Sequence, residues 1–398
     1  MKEITLEEIG GFKIGHASNI QAGTGCTVFL PDKLAPCGID VRGGGPASRE
    51  TELLNTKMAA EGLHGIILSG GSAYSLEAAT GVMDFLEERG IGFDTGIAKV
   101  PLICQSALFD LGVQNAKTRP DKLMGYRACE NAFANENALV NKNAFVNENA
   151  LANENASANE NASANENAFV NENASANEND FVNENASANK NTSANQNTLA
   201  SQVENNKKRI HSKIESGNIG AGTGCSVGKI LGMEYAMKTG IGIYAAQIGP
   251  VKVGAIVALN ALGDIFDEEG QQVAGLLSAD KKGLRSSEEM LYEMTQAKFF
   301  GSNTTLAIVI TNCRFNKSDL NKIAGMSQNG YARAINPIHT TADGDTIYVA
   351  SVGDLEADIN IVGTLASRVV HRAVLNATKV PSAYGFPSAH SLSVNESF

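Results

Sequence analysis

Apolar and polar positions along most of this chain fall into short blocks whose spacing switches between two periods. The run Gly65-Ile-Ile-Leu68, closed by Ser69-Gly-Gly-Ser72, predicts a strand followed by a turn. Leu76, Ala79, Met83 and Leu86 then recur at spacings of three and four and predict a helix that ends near Gly90. Residues 240–247, 251–260, 305–311 and 346–351 predict further strands. Leu320, Ile323 and Ala324 mark one more helix, and Val362, Leu365, Val369 and Ala373 another. Two similar glycine-rich segments, Ala22-Gly-Thr-Gly-Cys-Thr-Val28 and Gly220-Ala-Gly-Thr-Gly-Cys-Ser-Val-Gly-Lys229, lead into apolar runs. Sheets with helices outside them, an α/β or α+β class, account for this pattern.

Residues 129–200 break it. They are twelve six-residue units, mostly variants of Asn-Glu-Asn-Ala-Ser-Ala. On a helix six residues advance about 600°, so the fifth-position Phe, Leu or Ser visits every side and no apolar stripe forms. In a strand the even period holds one face constant, but Asn disfavours strands and the fifth position is often Ser. A disordered surface insertion is the expectation.

Of the 398 residues, 43 are acidic and 32 basic, for a net charge of −11. The repeat holds ten acids and two bases, which leaves −3 on the remainder. With no basic stripe interleaved with aromatics, this balance argues against nucleic acid as a partner. No stretch approaches the roughly 18 uninterrupted apolar residues of a membrane span. The N-terminus lacks an apolar run before a small-residue cleavage site. The six cysteines are scattered, without a CxxC pair, and read as reduced, mostly buried thiols of a cytoplasmic protein.

Three hydroxyl residues precede the apolar strand in Gly301-Ser-Asn-Thr-Thr-Leu-Ala-Ile-Val-Ile-Thr311, and Thr341-Ala-Asp-Gly-Asp-Thr346 follows about forty residues later. A hydroxyl at the start of a strand suits a self-cleaving precursor. Its oxygen attacks the preceding carbonyl, the peptide becomes an ester, and water releases a new α-amine that can deprotonate the adjacent hydroxyl. The same residues also serve as ordinary turn and capping residues. Ser69-Gly-Gly-Ser72 could hold an anion at a helix N-terminus, but Ser72 as a helix N-cap is the expected role. His16, His64, His211, His339, His371 and His390 show no metal-ligand spacing, and Asp343-Gly-Asp345 lacks the other ligands of a calcium loop, so neither metal nor other cofactor is expected.

Several motifs together resemble the P1 or S58 peptidase family, which contains L-aminopeptidase/D-esterases, β-peptidyl aminopeptidases and nylon-oligomer hydrolases. They are Arg42-Gly-Gly-Gly-Pro-Ala-Ser-Arg-Glu-Thr-Glu-Leu-Leu54, Leu68-Ser-Gly-Gly-Ser-Ala-Tyr74 and Gly90-Ile-Gly-Phe-Asp94. Arg119-Pro-Asp-Lys-Leu-Met-Gly-Tyr126, the segment 220–229 and Asn303-Thr-Thr-Leu306 complete the set. The resemblance implies a four-layer αββα sandwich interrupted by the repeat. It also implies autocatalytic cleavage between Asn303 and Thr304 into a larger chain, 1–128 with 201–303, and a smaller chain, 304–398. A homo-oligomer of such two-chain protomers, acting on small peptides or amides, is the expected form. By the same resemblance Thr304 is the nucleophile and Asn260 the oxyanion-hole asparagine, with Lys229, Asp343 and Asp345 assisting. One departure is that Gln105, in Pro101-Leu-Ile-Cys-Gln-Ser-Ala107, stands where aminopeptidase members carry the glutamate that binds a substrate ammonium. Two other readings stand beside the amidohydrolase: an acyltransferase of the ornithine-acetyltransferase type, and a binding or scaffold protein without catalysis.

The repeat offers no docking face, and doubling a flexible loop costs only about 0.6 kcal/mol. Deleting residues 135–200 is therefore expected to leave turnover of the purified protein within a few-fold of the full chain. Loss of soluble protein on deletion would make the repeat structural.

Overall fold

A computed structural model describes residues 1–137, 214–295 and 303–393. The chain divides into one unit of Met1–Phe133 with Lys213–Phe398 and a second of Ala134–Ser212. The repeat beyond residue 137, with its expected disorder, lies outside the described residues, as does His211. Its first nine residues close the helix Lys122–Asn137, and Cys129 and Ala132 there are buried.

The first unit is mixed α/β with two principal sheets. The larger has the order Lys2–Ile4, Ile241–Ile248, Val251–Ala258, Leu306–Cys313, Thr346–Leu355, Cys37–Val41. Its pairings are antiparallel except that of Leu306–Cys313 with Thr346–Leu355, which is parallel. The smaller sheet has the order Phe12–Asn19, Thr24–Pro31, Gly65–Ser69, Ile103–Ala107, Ala47–Arg49. It too contains one parallel pair, Gly65–Ser69 with Ile103–Ala107.

The central strands read as continuous apolar runs because both of their faces are buried. Ala307, Val309, Ile347 and Val349 join a cluster with Leu320 and Ile323 of the helix Lys317–Ala334 and Val362 and Val369 of the helix Ile359–Ala377. Their alternates Leu306, Ile308, Ile310 and Tyr348 join Phe29, Ile66 and Leu68 of the other sheet. On the far face of that smaller sheet, Val28, Ile67 and Ile103 pack with Val82, Phe85 and Ala128. Asn316 and Asp358 cap the two long helices, accepting from the amides of Asp319 and Asn360. All six cysteines are free and buried.

The helix after Ser69-Gly-Gly departs from expectation. Ser72–Glu77 is a 3-10 segment, and the α-helix spans Ala78–Glu87. Gly71 holds the cap position at φ 82 and Ser72 lies inside the element at φ 56, so Ser72 is not the N-cap. No side-chain hydrogen bond caps this element.

The two glycine-rich segments meet. The amide of Gly220 donates to Ser18 Oγ at 2.7 Å and that of Ala221 to Thr27 Oγ1 at 3.1 Å. A Cβ on Gly25 would lie 2.5 Å from the Gly220 oxygen, and one on Gly224 would lie 2.2 Å from the Gly23 oxygen. Main chain blocks both sites. Gly224→Ala is expected to lower stability by about 1–3 kcal/mol in urea unfolding. Gly112→Ala, whose nearest new contact is the Met233 side chain at 3.5 Å, should stay within about 0.5 kcal/mol of wild type.

Candidate active site

Strand register gathers four loops at one end of the larger sheet. Ala258 lies beside Leu306, Leu306 beside Thr346, and Thr346 beside Val41. The residues just beyond these strand ends, Asn260, 303–305, 343–345 and 42–45, are therefore neighbours. Gly45 N donates to Asp343 O at 2.7 Å, and a Cβ on Gly43 would lie 2.4 Å from the same oxygen. This close approach explains a glycine at 43, and a Cβ on Gly44 would lie 2.8 Å from the Thr341 Cα.

Thr304 is 3% exposed. Its amide donates to Asn260 O at 3.0 Å, and its hydroxyl donates to the carbonyl oxygen of Asn303. That same Asn303 oxygen accepts from Gly344 N at 3.1 Å, while Asn303 N donates to Ala342 O at 3.2 Å. Thr305 N donates to Asp345 Oδ1 at 2.8 Å. The peptide before Thr304 thus has a hydroxyl and a main-chain N–H at its carbonyl oxygen, inside a closed environment.

Asn260 is fully buried and central. Its Oδ1 accepts from Ser226 N at 3.2 Å and Lys229 Nζ at 2.8 Å, and Lys229 Nζ also reaches Asn260 O at 3.0 Å. One carbonyl therefore receives both the Thr304 amide and the Lys229 ammonium. Asn260 Nδ2 donates to Phe109 O at 2.9 Å, so the N–H that meets the Asn303 oxygen is that of Gly344. Burial pulls the Lys229 ammonium down to about 8, although part of the residue keeps some exposure; Cys225, Asp343, Asp110 and Asp345 oppose the shift.

Neither aspartate hydrogen-bonds Lys229. Asp343 accepts from Leu262 N at 3.4 Å and from the amide and hydroxyl of Thr340. Burial, then the charge of Asp345, hold the Asp343 carboxyl above the usual carboxylate range, with the Thr340 hydroxyl and Lys229 acting against them. Asp345 takes the Thr305 amide on one oxygen and His339 on the other. Both carboxylates act on the lysine through charge alone.

The structure does not bring Gln105 into this cluster. It is fully buried, with Oε1 accepting from Ala79 N at 3.2 Å and Nε2 donating to Ser69 Oγ at 2.8 Å and Ser75 O at 2.7 Å. Its neighbour Ser106 bonds Tyr348 of the larger sheet at 2.7 Å, so strand alternation turns Gln105 the opposite way. Its polar atoms are all engaged within the smaller sheet and the segment 75–79.

Three further residues escaped the reading of the sequence. His339 stands just ahead of Thr341-Ala-Asp-Gly-Asp345, a proximity that could have marked it, and its ring meets Asp345. Asp110 accepts from Thr24 Oγ1 at 2.7 Å and Gly71 N at 2.6 Å, so the anion at the Ser69-Gly-Gly loop is the chain's own carboxylate. Burial pushes it up to about 6, against these hydrogen bonds and Lys229. Lys238 is fully buried, its ammonium given to the carbonyls of Gly222, Cys225 and Thr239, and burial lowers it to about 8. Among the described residues no group of three or more His, Cys, Asp or Glu is arranged to hold a metal ion.

The chain is similar to several known proteins. An uncharacterized aminopeptidase of Mycobacterium leprae is 27% identical over 96% of this chain and 92% of its own length. A 6-aminohexanoate-oligomer endohydrolase of Paenarthrobacter ureafaciens is 25% identical over 95% and 87%. Among solved structures, a Burkholderia sp. β-aminopeptidase superposes with a TM-score of 0.58 at 13% identity, covering 98% of this chain and 92% of that one. An L-aminopeptidase D-Ala-esterase/amidase of Ochrobactrum anthropi, described as a variant of the Ntn hydrolase fold, gives 0.58 at 13% identity, covering 95% and 88%. The chain shares their fold. The model of peptidase family S58 matches residues 5–142 and 137–384, and the chain belongs to that family of hydrolytic enzymes.

Proposed function

We propose that the protein is a self-processing amidohydrolase whose nucleophile is Thr304, made terminal by cleavage of the Asn303–Thr304 bond. The observation that carries this reading is the pairing of the Thr304 hydroxyl and the Gly344 N–H on the Asn303 carbonyl oxygen. Attack by Thr304 Oγ1 on the Asn303 carbonyl carbon moves charge onto that oxygen, where the Gly344 N–H lies at 3.1 Å. A donor aimed at developing charge stabilises the transition state more than the ground state. Collapse breaks the C–N bond, passes a proton to the leaving nitrogen and leaves an ester. The Thr304 amine is free from that point, and water then hydrolyses the ester to the Asn303 carboxylate and the Thr304 hydroxyl. Around this site we read the three apolar clusters as the interfaces of an αββα sandwich.

After cleavage the amine occupies the place of the present amide, beside Asn260 O and Lys229. A free α-amine titrates near roughly 7.7–8.0, and Lys229 lies at about 8, so one of the two is readily unprotonated near neutrality. That group takes the Thr304 proton while the hydroxyl attacks a substrate amide, and the acyl-enzyme is discharged by water. The substrates are small peptides or amides, in keeping with family S58.

Intact mass and N-terminal sequencing test the cleavage. Wild type is expected to yield a fragment beginning at Thr304, and Thr304→Ala to remain one chain without hydrolytic activity. An active wild type that stays whole would overturn the mechanism.

The base makes processing depend on pH. Before cleavage residue 304 has no free amine, so we assign the base of processing to Lys229, which must lose its proton to act. The processing rate should climb as pH rises through about 8 and level off above it. Lys229→Arg keeps the charge but cannot be deprotonated; stopped at intervals and read by denaturing electrophoresis, it should process about 100-fold or more slowly.

A further inference from the structure

His339 occupies an unusual place in this loop. Its backbone lies in the left-handed region at φ 59, uncommon for a non-glycine residue although histidine enters it more readily than most. In that conformation its main-chain N–H and its ring Nδ1 both lie 3.1 Å from the same atom, Asp345 Oδ2. The other Asp345 oxygen takes the Thr305 amide at 2.8 Å. The carboxylate is fully buried, the ring is 17% exposed, and ring Nε2 is buried without a partner. A carboxylate oxygen can accept from both, so the tautomer with the proton on Nδ1 gives Asp345 Oδ2 two donors from one residue.

We propose that His339 is a positioning residue: through two N–H groups on one carboxylate oxygen it fixes Asp345, whose second oxygen fixes Thr305 and hence the hydroxyl of Thr304. This rests on the reading of Thr304 as the nucleophile. Before cleavage Thr304 is held from both sides in sequence. Once the Asn303–Thr304 bond is cut, the Thr305 amide is the first main-chain donor still tied to the 339–345 loop. Two donors allow the carboxylate less rotation than one. Small displacements of a reacting atom weigh heavily on rate, because the attacking oxygen must stand about 3–3.5 Å from the carbonyl carbon in line with its orbital. Substrate affinity does not pass through this clamp.

The test uses two variants that both tolerate a positive φ, so that backbone strain is not what they report. His339→Gly removes the ring donor. His339→Asn restores an N–H two bonds beyond Cβ, where Nδ1 now sits. In the full chain, His339→Gly is expected to slow processing and lower kcat by about 10- to 100-fold, the worth of a hydrogen bond to a charged group. KM should stay within about twofold, and His339→Asn should recover most of both losses. If His339→Gly processes and turns over like wild type, or if Asn rescues nothing, the clamp is wrong. A variant that only melts at lower temperature, with kcat intact, marks a purely structural histidine and also overturns the proposal. These results differ from failure of the nucleophile itself, in which wild type is not cut before Thr304 at all.

Discussion

One parallel pairing governs the site. Most neighbouring strands in the larger sheet run antiparallel, so strand starts and strand ends alternate along each edge. Because Leu306–Cys313 runs parallel to Thr346–Leu355, two strand starts instead stand side by side. The residues that lead into them, 303–305 and 343–345, are then forced together. The antiparallel partners on either side add a strand end each, and with them Asn260 and the glycines after Arg42. Reversing either central strand would send Thr304 and Asp345 to opposite edges of the sheet.

The cluster so formed is costly to bury. Asp343, Asp345 and Asp110 lie among apolar layers with Lys229 and Lys238, and desolvation acts on each charge that enters. Hydrogen bonds from main-chain N–H groups compensate: Leu262 and Thr340 for Asp343, Thr305 and His339 for Asp345, Gly71 for Asp110. Carbonyl oxygens do the same for the two lysines. The residual imbalance appears as lysines lowered to about 8 and an Asp110 carboxyl raised to about 6. Groups in that range exchange protons near neutrality, which is what acid–base chemistry on an amide requires.

Glycine makes this closeness possible. The loops at 23–25 and 220–224 approach within distances that leave no room for a Cβ, and residue 43 does the same against the Asp343 carbonyl. These contacts are between backbones, so they fix the loops more sharply than side-chain packing would. Lys229 is only a few residues from the second glycine segment, and its position on Asn260 inherits that precision.

Much of this was legible in the chain itself. Runs such as Leu306-Ala-Ile-Val-Ile310 and the three-four spacing of Val362, Leu365, Val369 and Ala373 specify strands and helices locally, because burial of one or both faces dictates the period. The motifs around Arg42, Ser69, Lys229 and Thr304 carried the family resemblance without any coordinates. What the chain could not disclose is direction and long-range partnership. The position of Gln105 was readable, but only the bond from Ser106 to Tyr348 shows that its side chain faces away from the sheet interface. Asp110 meets Gly71 and Thr24 across 39 and 86 residues, and His339 meets Asp345 through a left-handed backbone that the local sequence does not announce. Local sequence determined which segments become strands, helices and tight loops, because those depend on neighbours a few residues away. Tertiary structure alone decided which buried charges face one another, because a hydrogen bond depends on separation in space and is indifferent to separation along the chain.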